Sequence, residues 1–494
     1  MASMNLMIKM SSSSSSSPPS PSITSIPTPT PPSTSLPVRA IPGSYGLPLI
    51  GAISDRLKYY WFQGPETFLK KKRESHKSTV FRTNIPPSFP FFLNVNPKMI
   101  AVLDCKAFST LFDMDVVEKK NVLIGDFMPS TSFTGNIRVG VYLDTTEPQH
   151  SQVKNFCLDI LKRSSNLWTS EFLSNINDMW DKIEKDVEEN GSASYLMPLQ
   201  RSLFRFLVKC IVGADPASSP EVAENGHIML DKWLALQLIP TQSIPVFQPL
   251  VEIFLHSFTY PFALVSGDYG KLYEFVKKQG NETVQRGMTE YGLSQDEAIH
   301  NLIFVLGFNA FGGFSVFLPS LINSLGSNNE IQEKLRKEIR EIVGSSPLSF
   351  ELVKKLDLVQ SFVYETLRFK PPVRAQFARA RKDFVLDSHD SGFQVKKGEL
   401  LFGYQPFAMR DPKVFDDPET FIPERFTGEK GKELLNYLYW SNGPQTGSPS
   451  TSNKQCAAKD YVVLTSCMLI ADMFQRYDSI TATSSAITAI EKAK

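Results

Sequence analysis

The chain has few of the features that would place it in a common functional class. Its five cysteines are scattered, with no C-x-x-C pair, which argues against a disulfide framework and a structural zinc site. It has no G-x-G-x-x-G or G-K-[ST] loop, which argues against a nucleotide, nicotinamide or flavin site. Basic and acidic residues nearly cancel, 52 against 51, so nothing favours nucleic acid as a partner. No uninterrupted run of about 18 apolar residues predicts a membrane span, and peripheral contact with a membrane stays open.

Acidic residues are also absent from the N-terminal part, where the first carboxylate is that of Asp55. The first forty residues are rich in Ser, Thr and Pro, as is typical of organelle transit peptides, and they lack the apolar core of a secretory signal. We therefore predict a disordered, plastid-transit-like leader over residues 1–38 and a single folded domain over residues 39–494. A disordered tail without a targeting role is the alternative.

The folded part has a mainly helical pattern. Short strand-like pieces interrupt it, such as STVFRTN, FQVKKGELLFGY and FPFFLNV, so the pattern predicts a mainly α fold with a small β region. We expect one helix to be capped by the hydroxyl of Thr146 and another to run from Ser349 to the prolines that follow residue 370. A third starts with a capping box at Ser294 and is apolar all round, which predicts that it is buried.

Two glycines lie in the middle of that apolar helix. Gly312 and Gly313 each cost about 1 kcal/mol relative to alanine in a helix interior. The sequence therefore predicts the close approach of another group to this part of the helix.

Cys456 stands at a sharp change of pattern. A loop rich in Gly, Pro, Ser, Thr and Asn occupies residues 441–455, and a helical pattern follows the cysteine. We expect Cys456 to open that helix, where backbone amides together with Lys454 and Lys459 would stabilise a thiolate. Considered by itself, the residue is equally well interpreted as a small buried side chain.

The order of motifs around this cysteine resembles the haem-thiolate cytochrome P-450 family. Glu365 and Arg368 are spaced i, i+3 on a helix, and strand-like pieces, the segment MRDPKVFDDPETFIPERF with Arg425, the loop and Cys456 follow. The resemblance covers residues 40–490. It implies the mainly α haem-thiolate fold of that family, haem b with the Cys456 thiolate as iron ligand, and a structural lock formed by Glu365, Arg368 and Arg425.

Three departures from the ordinary monooxygenase pattern bear on function. The buried helix reads GFNAFGGF, without the acid and threonine that deliver protons to dioxygen. The cysteine loop is about nine residues longer than in the F-x-x-G-x-R-x-C-x-G pattern, and the Ser/Thr/Pro leader stands where microsomal members have an apolar anchor. These departures predict an enzyme that needs neither dioxygen nor a reductase and whose substrate is already a hydroperoxide.

The same features resemble the plant fatty-acid hydroperoxide-metabolising branch of the family, which comprises allene oxide synthases, hydroperoxide lyases and divinyl ether synthases. The resemblance implies that Asn309 orients the peroxide, since an amide both donates and accepts hydrogen bonds. Phe308 and Phe311 would line the substrate pocket beside it. A helix-to-helix hydrogen bond in the core is the alternative role of Asn309.

The resemblance also implies basic residues that hold the haem. Lys119 or Lys120, together with His150 and Lys154, resemble the groups that bind the propionates in this branch, because carboxylates buried beside haem need such partners. Lys454, next to the cysteine, is predicted to contact the cofactor as well. For each lysine a solvated surface position is the alternative.

Within the branch, the residue at position 123 favours a lyase. Allene oxide synthases usually carry phenylalanine there, whereas Leu123 fits the lyase pattern. The prediction is cleavage of 13-hydroperoxides of linoleic or linolenic acid in the plastid into a six-carbon aldehyde and a twelve-carbon oxo acid. Leu123 can equally be packing. Allene oxide or divinyl ether synthesis, an oxygen-dependent monooxygenase and a non-catalytic haem sensor remain as alternatives.

Overall fold

Helices dominate the computed structural model, which describes residues 36–87, 92, 94–242 and 255–494. Residues 37–494 form one unit. The predicted leader lies almost entirely outside the described residues, and so does most of the strand-like piece FPFFLNV. The longer α-helices are Ile50–Leu57, Gly64–His76, Pro148–Asn190, Leu196–Leu207, Pro220–Leu238, Ser266–Gln279, Asn281–Tyr291, Gln295–Phe304, Gly312–Gly326, Asn329–Ile342, Asp357–Phe369, Gly428–Leu434 and Lys459–Arg476. Short ones are Cys105–Ser109, Phe350–Val353 and Gln405–Ala408.

The strands form three small sheets. The largest has five strands in the spatial order Val80–Asn84, Lys98–Val102, Leu400–Tyr404, Ala375–Ala380 and Val117–Glu118. Val38–Arg39 pairs in parallel with Gly392–Val395, which pairs with Phe384–Asp387, and Tyr477–Ala482 pairs with Ala486–Lys492, which pairs with Ala193–Ser194. The predicted mainly α fold with a small β region is confirmed, and so are strands within STVFRTN and FQVKKGELLFGY.

One long helix runs through the core. It consists of Gln295–Phe304, a π-helical turn Val305–Phe311 and Gly312–Gly326. The predicted capping box is confirmed, since the Ser294 hydroxyl accepts from the amide of Glu297 and the Glu297 carboxylate accepts from that of Ser294. Among the described residues, this helix alone is long and apolar enough to cross a membrane, and half of its most apolar window is buried inside the protein.

Two other helix predictions need correction. Pro148–Asn190 begins after Glu147, and the Thr146 hydroxyl donates to Asp144 at 2.8 Å instead of capping the helix. The segment after Ser349 forms two helices, Phe350–Val353 and Asp357–Phe369, and not one. The Ser349 side chain caps the first. The Glu338 carboxylate accepts from the amides of Leu358 and Val359 at 2.8 and 3.0 Å, which satisfies the start of the second.

Buried tryptophans fix the C-terminal helix that follows Cys456. The indole N–H of Trp168 donates to the Thr465 hydroxyl at 2.8 Å, and that of Trp180 donates to the Asp472 carboxylate at 3.1 Å. Both tryptophans lie on the long helix Pro148–Asn190, which also carries His150 and Lys154. The helix that carries His150 and Lys154 is therefore packed against the helix that follows the predicted haem ligand.

Candidate active site

Cys456 lies one turn before its helix and does not open it as predicted. The helix Lys459–Arg476 starts later because the first i to i+4 hydrogen bond joins the amide of Val462 to the carbonyl of Ala458, at 2.9 Å. The amide of Cys456 donates to the carbonyl of Ser441 at 3.2 Å, and its carbonyl accepts from the amide of Lys459 at 3.3 Å. The half-buried thiol is thus placed by a turn tied back to the start of the loop.

Lys454 is an anchor of this loop. Its ammonium donates to the carbonyls of Gly140 and Leu143, each at 2.7 Å. Burial, with the charge of Lys154, lowers the pKa of Lys454 to about 7. Because its donors are directed at backbone carbonyls, the predicted contact of Lys454 with the cofactor has no support in this geometry. The Lys459 ammonium likewise donates to the carbonyl of Gln445 at 2.7 Å and to the Asp460 carboxylate.

Lys154 is the cation beside the thiol. It donates to the carbonyl of Gln455, the residue before Cys456. Burial lowers the pKa of Lys154, and the neighbouring thiols of Cys456 and Cys157 oppose that effect. Burial also raises the pKa of the Cys157 thiol to about 11. The sequence analysis missed Cys157, although its i, i+3 spacing from Lys154 would have placed both on one helix face.

Two buried nitrogen atoms near this loop have no partner. The Lys119 ammonium and the Nδ1 atom of His150 accept and donate no hydrogen bond within the described residues, and the two side chains are 4% and 3% exposed. Burial, with the charge of Lys454, lowers the pKa of Lys119 to about 7. The same two causes, together with the charge of Lys154, lower the pKa of His150 to about 4. Lys120 is exposed, so of the two adjacent lysines Lys119 is the buried one.

Asn309 lies in the π-helical turn of the long helix. Its side chain is exposed, although most of its neighbours on this helix are buried or half-buried. π-Helical turns inside α-helices occur frequently at functional sites. A Cβ atom at Gly313, four residues later, would meet no atom within 4 Å, so this helix face borders open space. A Cβ atom at Gly312 would lie 2.7 Å from Leu234, so the predicted close approach applies to Gly312 alone.

The three predicted pocket residues have different environments. Phe308 is half-buried and stacks on Phe304, with ring centroids 4.7 Å apart. Leu123 is half-buried and packs against the main core. Phe311 is fully buried within that core. Since Phe311 lies two positions from Asn309, about half a turn away, it faces the opposite side of the helix. The buried position of Phe311 does not support a place in the substrate pocket, and that role stays a prediction.

Glu365, Arg368 and Arg425 form one buried ionic cluster. Arg368 donates to both carboxylate oxygens of Glu365, at 2.7 and 2.8 Å, and Arg425 reaches them at 3.1 and 3.2 Å. The Glu365 and Arg368 side chains are completely buried. The guanidinium groups also donate to backbone carbonyls, among them that of Thr420. The cluster joins the helix Asp357–Phe369 to the segment that precedes the cysteine loop.

The residues present fit a haem. The half-buried thiol of Cys456 is free to act as a thiolate ligand to the iron of a haem. The buried Lys119 ammonium, which has no hydrogen-bond partner in the described chain, matches the need of propionate groups for hydrogen-bond and charge partners, and the Nδ1 atom of His150 is also unpaired there. On the long helix, Asn309 and the open side of Gly313 leave room for a ligand. Among the basic residues predicted to hold the cofactor, Lys119 and the Nδ1 atom of His150 have no partner in the described chain, whereas the ammonium groups of Lys154 and Lys454 donate to backbone carbonyls.

Comparisons with known proteins agree with this site. The sequence model of the cytochrome P450 family matches residues 128–445. The chain is 60% identical to a protein named fatty acid hydroperoxide lyase, chloroplastic, of Solanum lycopersicum, over 95% of this chain and 100% of that protein. It is 58% identical to the linolenate hydroperoxide lyase, chloroplastic, of Arabidopsis thaliana, over 94% and 95%.

Other relatives carry different names. A probable inactive linolenate hydroperoxide lyase of Arabidopsis thaliana is 58% identical over 77% of this chain and 100% of its own length. The chloroplastic allene oxide synthase of Linum usitatissimum is 42% identical over 96% of this chain and 88% of its own. The family match, the helical fold and the geometry around Cys456 lead to one conclusion: the chain belongs to the cytochrome P450 family.

Proposed function

We propose that this chain is a plastid fatty-acid hydroperoxide lyase. It rearranges the 13-hydroperoxide of linoleic or linolenic acid into a hemiacetal of the same composition, which breaks into a six-carbon aldehyde and a twelve-carbon oxo acid. The observation that carries the proposal is the identity to relatives named hydroperoxide lyases, 60% and 58% over nearly the whole chain, against 42% to an allene oxide synthase. Both lyases are named chloroplastic, which supports a plastid localisation for this chain.

Residues of the site take distinct roles in this proposal. Cys456 ligates the iron of haem b, and Lys119 and His150 hold its propionates. Thiolate-ligated haem supplies cleavage of the O–O bond of the hydroperoxide. Asn309 holds the hydroperoxide group through its amide, which donates to one oxygen and accepts from the terminal O–H. Phe308 and Leu123 border the acyl chain.

The composition of the site supports a reaction that requires neither dioxygen nor a reductase. The π-helical turn Val305–Phe311 contains no acid or threonine, so it offers no side chain that would deliver protons to dioxygen. A hydroperoxide substrate brings both oxygen atoms, and the overall reaction is an isomerisation that consumes no electrons. The proposed partners are therefore a fatty acid hydroperoxide, without a reductase, and peripheral contact with a plastid membrane.

Product analysis tests this function. Purified, haem-loaded protein is mixed with 13-hydroperoxylinolenic acid in the absence of NADPH and reductase, quenched within seconds and analysed by mass spectrometry. We expect hexenal isomers together with the twelve-carbon oxo acid. Ketols would indicate allene oxide synthesis, and an intact eighteen-carbon ether would indicate divinyl ether synthesis. Unconsumed substrate would contradict the proposal and would favour a monooxygenase or a haem sensor. This outcome has to be tested because one relative is named a probable inactive hydroperoxide lyase.

The role of Asn309 has its own control on the same helix. We expect N309A to lower the turnover of hydroperoxide by about two orders of magnitude while haem content stays at the wild-type level. Asn323 lies on the same helix, 14 residues further along, and N323A is expected to retain wild-type turnover. Equal loss in both variants would show that the helix, and not the amide at position 309, determines the rate.

A further inference from the structure

A cavity lies beside the first half of the long helix, and the proposed function gives it no role. Its volume is about 330 Å³, at the low end of the range of small-molecule sites, about 300–1,000 Å³. Its lining residues lie within three parts of the chain, which are residues 132–136, residues 262–273 and His300 on the long helix. We call it the outer cavity.

The outer cavity is separate from the place where Asn309 lies. His300 precedes Asn309 by nine residues on the same helix, which corresponds to a rise of about 13 Å. Aromatic rings connect the two places. Tyr269, which lines the outer cavity, stacks on Trp233 with ring centroids 5.8 Å apart, and Trp233 contacts Phe304 edge-on at 6.1 Å.

The walls of the outer cavity are mostly apolar, with one polar edge. The Tyr269 hydroxyl and the Nδ1 atom of His300 are hydrogen-bonded at 2.6 Å. The edge of the imidazole that carries Nε2 lies against Gly135, another lining residue, since a Cβ atom there would collide with Nε2. The Nε2 atom has no hydrogen-bond partner within the described residues.

This Nε2 atom is a hydrogen-bond donor at neutral pH. Burial lowers the pKa of His300, although the charge of Asp296 opposes that effect, so the imidazole is neutral at pH 7 and above. With the Tyr269 hydroxyl donating to Nδ1, the ring proton is on Nε2. The outer cavity therefore offers one donor to the acceptor oxygen of a ligand.

The charges around the outer cavity favour a neutral ligand. The described residues that line it include no lysine, arginine, aspartate or glutamate. The nearest carboxylate that contacts a lining residue is that of Asp296, which accepts from the Tyr273 hydroxyl. An anionic ligand would therefore find no cation in the walls and a like charge beside them, which is unfavourable in apolar surroundings.

We propose that the outer cavity binds a short neutral aldehyde, whose carbonyl oxygen accepts from Nε2 of His300 and whose hydrocarbon chain lies against the apolar walls. The inference rests on the proposed lyase function, which supplies a molecule of this kind. The hydroperoxide, the hemiacetal and the twelve-carbon oxo acid each carry a carboxylate, and the six-carbon aldehyde alone is neutral. The outer cavity is then a second site for that product, away from the place where it forms.

Two glycines on one helix provide a matched pair of variants. Gly270 lines the outer cavity, and a Cβ atom there would meet no atom within 4 Å, so G270F brings a ring to the cavity without a collision. Gly267 lies on the same helix, and a Cβ atom there would also meet no atom within 4 Å, but it does not line the cavity. G267F is therefore the control, since both substitutions change helix propensity alike.

The test is calorimetric titration of the haem-loaded proteins with hexanal, which requires no turnover. We expect G270F to bind hexanal about tenfold more weakly than the wild type, because the hydrocarbon chain loses its contacts with the walls. G267F should bind hexanal with the wild-type affinity. Hexanoate has the same chain length and a negative charge, so it should not compete with hexanal for the outer cavity.

Each outcome decides the proposal. Wild-type affinity for hexanal in G270F would overturn it, and equal weakening in G267F would assign the effect to the helix and overturn it too. Competition by hexanoate would contradict a site for neutral ligands. If G270F does not retain haem, H300A decides instead, since it removes the donor without adding atoms, and unchanged affinity there would overturn the proposal.

The product assay separates this inference from the proposed function. Ketols from the hydroperoxide, with hexanal still bound in the outer cavity, would contradict the lyase function and keep a site for neutral aldehydes. Hexenal isomers from the hydroperoxide, without binding of hexanal that G270F weakens, would contradict only the outer cavity as a product site.

Discussion

Lys119 and Lys120 are adjacent in sequence and opposite in environment. Lys119 is buried, with its ammonium 5.7 Å from the ring centre of Phe112 and without a hydrogen bond in the described chain, whereas Lys120 is exposed. Burying a charged ammonium without a partner is unfavourable, and this lowers the pKa of Lys119 to about 7. Lys119 is therefore suited to bind an anion.

The pH dependence of stability should reveal this residue in the haem-free protein. Between pH 7 and the ordinary lysine pKa of about 10.5 the unfolded chain keeps a proton that folded Lys119 has lost, so the free energy of unfolding rises with pH. We expect K119M to reduce the rise between pH 7 and 9 by on the order of 2 kcal/mol. K120M should leave it unchanged, as measured by urea unfolding. The same rise in both variants would show that Lys119 does not titrate in this range.

At the scale of elements, two adjacent glycines of the long helix have different surroundings. Gly312 is pressed against Leu234, while Gly313, one residue later, borders open space. Both are equally unfavourable in an isolated helix. Their different surroundings separate a glycine that allows close packing from one that borders open space.

Paired alanine substitutions distinguish these two roles. We expect G312A to be less stable than G313A, because its new methyl group must displace the Leu234 side chain, and this offsets the gain in helix propensity. G313A should raise the free energy of unfolding by about 0.5–1 kcal/mol through helix propensity and yet impair hydroperoxide turnover, because its methyl group fills the ligand space. Calorimetry and the product assay check the pair. Full turnover in a stabilised G313A would place the cavity elsewhere.

The buried ionic cluster should behave unlike the surface pairs nearby. E365A leaves Arg368 and Arg425 without their carboxylate, and breaking a buried pair costs about 3–5 kcal/mol. The exposed pair of Glu351 and Lys354 has a similar spacing, so E351A serves as the control and should leave the midpoint of urea unfolding unchanged. A small effect of E365A would mean that the backbone carbonyls alone satisfy both guanidinium groups.

Local rules predicted the parts of the site that depend on nearby residues. The capping box at Ser294 and the pairing of Glu365 with Arg368 follow from spacing along one helix. Long-range contacts decided the rest. The Thr146 hydroxyl is taken by Asp144, which also accepts from Arg381, a residue distant in sequence. Phe311 faces the core because of how the long helix is oriented, and no pattern around Lys454 shows that its ammonium reaches Gly140.

At the scale of the whole molecule, the boundary of the folded unit is set by one short strand. Val38 and Arg39 pair in parallel with Gly392 and Phe393, so the chain enters the fold at about residue 37. Activity and stability should therefore depend on where the N-terminal part is cut.

Two truncations test this boundary. Removal of residues 1–35 should leave the thermal midpoint and the hydroperoxide turnover at wild-type values, because the strand Val38–Arg39 is kept. Removal of residues 1–40 deletes that strand and should lower the midpoint. If both proteins behave alike, the parallel pairing contributes nothing to stability.

The anchoring of the cysteine loop has a kinetic consequence. Lys454 in the loop donates to the carbonyls of Gly140 and Leu143. Lys154, on the helix that carries His150, donates to a carbonyl of the loop. The segments that carry Cys456 and His150, which would hold the haem, are therefore joined to each other by hydrogen bonds. Release of the cofactor then requires these hydrogen bonds to break together. The half-life of bound haem should therefore equal the half-life of the folded protein, and activity should be lost through unfolding and not through dissociation of haem from the folded enzyme.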